Sequence, residues 1–123
     1  MIPWETNLNA DTTKDPEWAA YLHEAYARDI RIMDRFFTRQ SSDGQLGGGF
    51  GDDCELMRTW IQVAAISTAS KTPREGIESL GEGIWQTISK PYGFGGCGDV
   101  EHASEPHADL FPGLTFLKYG DPL

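Results

Sequence analysis

The sequence is poor in cysteine, in positive charge and in long apolar runs, and each shortage excludes something. Two cysteines, Cys54 and Cys97, make at most one bridge, so the 123-residue chain is no disulfide scaffold, and their spacing fits no zinc pattern. Ten Lys and Arg against nineteen Asp and Glu leave a net charge of -9. That balance repels a polyphosphate backbone and offers no basic patch for anionic lipid, so neither nucleic acid nor membrane is an expected partner. The most hydrophobic stretch, Trp60 to Ile66, is too short to span a bilayer. Residues 1–15 lack the charged start and apolar run of a signal peptide. Localisation therefore stays open, with a periplasmic or extracellular site expected only if the full-length protein carries a leader.

What is present reads as helices. Asp15-Pro16-Glu17 combines a cap acceptor, a first-turn proline and an acid at the positive end of the dipole. From it Leu22, Tyr26, Ile30, Met33 and Phe37 recur at steps of three and four, predicting a helix that ends near Gln40. Asp52 and Glu55 form a capping box before an almost continuously apolar second helix, in which Arg58 is the only charge up to Ser70. Such a helix asks for burial on most sides, and an uncovered side predicts self-association or burial by further parts of the protein. Thr72-Pro73-Arg74-Glu75 opens a third helix carrying Ile77, Leu80, Ile84 and Ile88, weakened by Gly76, Gly81 and Gly83. A shorter fourth, with Leu110, Leu114 and Leu117, begins near Pro106 or Pro112. Gly120-Asp121-Pro122 repeats the start signal and predicts a fifth helix beyond Leu123. The expected fold is all-α: an extension over 1–15, then antiparallel helical hairpins over 16–123, as a segment of a larger array.

The loops repeat as well. Gly48-Gly49-Phe50-Gly51-Asp52 recurs as Gly95-Gly96-Cys97-Gly98-Asp99, the separation expected of successive helix hairpins. Antiparallel helices set alternate connections at the same end, so both glycine-rich loops are expected at one mouth. That would gather Asp52, Asp53, Glu55, Asp99, Glu101, His102, Glu105 and His107. Glycines let a ligand approach the main chain, and Phe50, Trp60, Tyr92 and Phe94 offer flat faces for sugar rings. Asp52 and Asp99 have capping roles as alternatives. Asp53 and the Glu101-His102 pair are the better candidates for acid and base work. A divalent metal on Asp52, Asp53, Asp99, Glu101 and His102 is a secondary expectation; the oxygen-rich set suits calcium, with manganese or zinc next.

The run Asp43-Gly44-Gln45-Leu46-Gly47-Gly48-Gly49-Phe50-Gly51-Asp52-Asp53, the helix after it, and Asp99-Val100-Glu101-His102 leading to Tyr119-Gly120-Asp121-Pro122 resemble (α/α) toroid carbohydrate-active enzymes. The likeness, over residues 16 to 123, is to the catalytic toroid of heparinase-like polysaccharide lyases and to related six-hairpin glycosidases. It implies an inner position for the second helix, a sugar-binding groove built partly by the two loops, and further hairpins to complete the ring. A lyase needs a base for the C5 proton, for which His102 or Tyr92 serves, and a group that neutralises a uronate, for which only Arg58 and Lys90 are near the loops. A glycosidase needs two carboxyls, about 5 to 5.5 Å apart for retention or roughly 6.5 to 9.5 Å for inversion. Asp53 with Glu101 is that pair, with Phe50, Asp52, Trp60, Phe94 and Asp99 contacting substrate. A non-catalytic helical-repeat binding module is the third reading.

Overall fold

A computed structural model describes residues 10–66, 71–92 and 104–119, with the side chains of 62–66, 71 and 92 left aside. Among them there is no strand, and the chain is all-α.

Helix α1 spans Glu17–Phe37. Its start lies one residue later than the capping pattern predicts. Pro16, at φ -54° and ψ 143°, is the flanking residue, and its carbonyl accepts from Ala19 and Ala20 at 2.9 and 3.1 Å. Asp15 instead closes a turn, its N–H on Thr12 O at 3.0 Å, and no side chain caps the helix. Ala27, Ile30, Met33 and Phe37 are buried. Leu22, expected in that row, is exposed together with Trp18 and Tyr21.

The connection after α1 is held by its own polar atoms. Gly44 N–H bonds Ser41 O, Ser41 N–H bonds Gln45 O, both at 3.0 Å, and the Ser41 hydroxyl bonds Asp43. Gly44, at φ 93°, lies against Ser79 so closely that a Cβ would overlap its carbonyl oxygen, which makes glycine obligatory.

Helix α2 covers Phe50–Glu55 and α3 covers Met57–Ile66, with Leu56 between them at near-helical angles (φ -61°, ψ -27°). The second predicted helix thus exists as two consecutive segments. Its capping box does not form: Gly49 flanks the helix at φ 90°, Asp52 lies inside the first turn, and no side chain caps it. Helix α4, Lys71–Ile84, passes into a π-helical turn, π1 (Trp85–Ser89), and then α5 (Lys90–Tyr92). A second π turn, π2 (Pro106–Leu110), leads into α6 (Phe111–Leu117), so Pro106 and Pro112 each stand at the start of a segment.

The core joins Ile30, Met33 and Phe37 of α1 to Cys54 of α2, Met57, Trp60 and Ile61 of α3, Ile77, Leu80 and Ile84 of α4, and Leu110 of π2. Helices α3 and α4 pack on each other, and α1 and α6 each pack on both. Two of the glycines that weaken α4 as an isolated helix are what permit this. A Cβ on Gly76 would enter the Phe37 ring, and one on Gly81 would enter Leu114. Close approach of α1 and α6 offsets the roughly 1 kcal/mol per glycine lost in propensity. The apolar side chains of 62–66 lie outside the described set; of the earlier ones in the second helix, Met57, Trp60 and Ile61 are buried.

Candidate functional site

The described part of the expected mouth is the junction of the first glycine-rich loop, α2 and π2. Asp53 organises it. Its Oδ2 accepts the Leu46 N–H at 2.7 Å and its Oδ1 the Gly48 N–H at 3.0 Å. The side chain is only 3% exposed. The loop therefore closes over a carboxylate at the start of the helix it precedes, and both oxygens are occupied by main-chain donors. Asp53 serves as the loop's anchor; a role as free acid or base does not fit this bonding.

Above the anchor the loop is open. Cβ atoms built on Gly47 and Gly49 would meet nothing within 4 Å among the described residues, and Gly47, Gly48 and Asp52 are exposed. Below it the surroundings are acidic and dry. Cys54 is fully buried, and loss of solvent, followed by the negative charges of Asp53, Glu105 and Asp109, pushes its thiol up to about 12. It is a protonated core residue without nucleophilic character near neutral pH.

Helix α2 packs on π2, so the chain leading out of the second glycine-rich segment re-enters beside the helix that follows the first. Arg58 Nε donates to Asp109 Oδ2 at 2.8 Å, and its Nη2 lies 3.4 Å from Glu55 Oε1. The bond to Asp109 holds the guanidinium charged beyond its usual range. Glu105 is buried, and the His107 ring meets Phe111 edge-on at 5.2 Å between centroids.

The two described aromatic candidates are structural in this arrangement. Trp60 is 8% exposed and makes edge contacts with Phe36 and Phe37 at 5.2 and 6.1 Å. Phe50 is half-buried against the core, its ring so near α4 that a Cβ on Gly83 would lie 2.8 Å from it. Trp60 presents no open face to a sugar ring. Tyr92 closes α5, its side chain outside the described set, and Phe94, Cys97, Asp99, Glu101 and His102 lie outside the described residues. Of the metal candidates this leaves Asp52, exposed, and Asp53, engaged; no cluster of three or more His, Cys, Asp or Glu suited to a metal occurs among the described residues.

Sequence reasoning missed Gln40. Its amide nitrogen donates to Gly44 O at 2.7 Å and to Gly76 O at 2.8 Å, strapping the loop to α4. A glutamine past a helix end carries no signal of this in one dimension. The Arg58–Asp109 pair was more accessible, since a lone cation in an apolar helix calls for a distant anion.

Comparison with known protein families, with curated proteins and with solved structures gives no match.

Proposed function

We propose that the chain is part of a carbohydrate-active (α/α) toroid protein that cleaves glycosidic bonds as a polysaccharide lyase, with the glycine-rich end of the helices as its substrate mouth. The observation that carries this reading is the loop over Asp53, fixed from beneath by two main-chain hydrogen bonds and open above Gly47 and Gly49. A rigid, side-chain-free edge of this kind lets a polymer lie close to the main chain. The packing of α2 on π2 supports a shared mouth for both loops.

In this reading Asp53 is a positioning residue. His102, with Tyr92 as the second candidate, takes the proton from C5 of the uronate. The electron pair forms the C4–C5 double bond as the C4–O bond breaks, and the leaving oxygen takes a proton from an acid, for which Glu101 is the candidate. Hydrolysis by Asp53 with Glu101 is the weaker alternative, because both Asp53 oxygens are already engaged.

The test is a panel of anionic and neutral polysaccharides, followed by the ultraviolet absorbance of unsaturated ends and by reducing-end release. A lyase gives both signals, and His102→Ala removes them while leaving the circular dichroism unchanged. Reducing ends without absorbance, abolished by Glu101→Gln, establish hydrolysis instead. No cleavage of any polymer discards the catalytic reading and leaves the binding module.

A further inference from the structure

Helix α1 has two apolar rows, and the described core uses one. The inward row is Tyr26, Ile30, Met33 and Phe37. The second row is Trp18, Leu22, Ala25, Asp29, Ile32 and Phe36, at steps of four, three, four, three and four, which is the alternation of a two-helix seam. At about 100° per residue these six positions fall within one narrow stripe about 27 Å long. It faces outward: Trp18 is 69% exposed, and Leu22, Ile32 and Phe36 are 46, 45 and 42% exposed. Phe36 is held in place from behind by its edge contact with Trp60.

Two features select the occupant. The step pattern reads the same from either end, so in an antiparallel pair Trp18 meets Phe36, Leu22 meets Ile32, and Ala25 meets Asp29 of the other copy. The polar flank beside the stripe is divided by charge: Glu17 and Glu24 occupy its first half, and Arg28, Arg31 and Arg35 its second. In an antiparallel twofold pair each flank runs against its own copy, so the acidic half of one helix lies along the basic half of the other. Glu24 already holds Arg28 and Arg31 at 2.7 and 3.3 Å within the chain. Arg35, exposed, makes no ion pair among the described residues, and the twofold register brings it toward Glu17 of the second copy. A lipid surface would meet Glu17 and Glu24 along with the arginines, and it has no use for a palindromic row.

We propose that the outward face of α1 is a self-complementary interface, pairing two copies of this chain through antiparallel α1 helices. This inference is independent of the carbohydrate reading. Asp29, half-buried at mid-row, weakens the pair, and the small Ala25 opposite leaves it room.

Sedimentation equilibrium of the protein across a wide concentration range tests the interface. A concentration-dependent dimer is expected. Asp29→Leu should tighten it about tenfold or more, and Ile32→Glu should weaken it by about two orders of magnitude, on the scale of central interface positions. Arg35→Glu should also weaken it, and adding Glu17→Arg should restore it. Asp29→Leu and the charge reversals lie outside the core, and circular dichroism verifies the fold of each variant. A monomer at every concentration, for both the parent and Asp29→Leu, overturns the proposal. So does a dimer indifferent to Ile32→Glu, a charge exchange without rescue, or a monomer that binds phosphatidylserine vesicles through this face.

Discussion

Arg58 of α3 and Asp109 of π2, 51 positions apart in sequence, are joined by a 2.8 Å bond from Nε to Oδ2. The arginine side chain is 54% exposed and the aspartate 14%, so the two ends of the bond are unequal. Arg58→Met strands a mostly buried carboxylate and should lower stability, whereas Asp109→Asn leaves a solvated cation beside Glu55 and should lower it less. Urea denaturation of both single variants and the double variant measures the asymmetry. Equal losses would mean that the aspartate finds another donor.

The loop anchor gives a larger effect. Asp53→Ala removes the acceptor of two main-chain N–H groups at once, a loss of about 2 to 4 kcal/mol. Thermal unfolding should fall by on the order of 10 °C. Hydrogen exchange should quicken at Leu46 and Gly48 before it does in α1. Unchanged protection at those two amides would show that the loop holds itself.

Gly76→Ala separates propensity from packing. In an isolated helix the change gains about 1 kcal/mol. In this protein the new methyl enters the Phe37 ring, so a net loss of about 1 to 3 kcal/mol is expected. Adding Phe37→Leu should recover part of the loss. A stabilised Gly76→Ala single variant would contradict the close α1–α4 contact.

Cys54 ties stability to alkaline pH. Its thiol ionises near 12 in the folded protein, against an ordinary value of 9.0, because burial and three neighbouring carboxylates oppose the thiolate. Below pH 9 the thiol is protonated in both states and contributes no slope. Between 9 and 12 only the unfolded chain releases the proton, so stability falls as pH rises, by at most about 1.4 kcal/mol per unit. In a Cys97→Ser background, iodoacetamide at pH 8 should leave native Cys54 unmodified and label it in urea. Rapid native labelling would show the thiol open to solvent.

Much of the fold was legible because helices announce themselves locally. Pro16, Pro73, Pro106 and Pro112 all stand in first turns or beside them, and the inward rows of α1 and α4 follow their spacing. The failures share a cause: a residue's partner is invisible in one dimension. Asp52 and Asp53 are adjacent and chemically alike, yet one is solvated and the other buried beneath Leu46 and Gly48. Trp60 has the same ring whether it faces a ligand or Phe36 and Phe37. Leu22 satisfies the periodicity of α1 and is nevertheless exposed. Gly76 and Gly81 read as weak points in a helix and serve as the places where neighbouring helices come nearest.

Gln40 gives the loop end a mechanical property. One amide group grips Gly44 in the loop and Gly76 in α4, so the two cannot be displaced independently. A displacement of the loop at Gly44 would therefore pull on α4 at Gly76 through a single side chain.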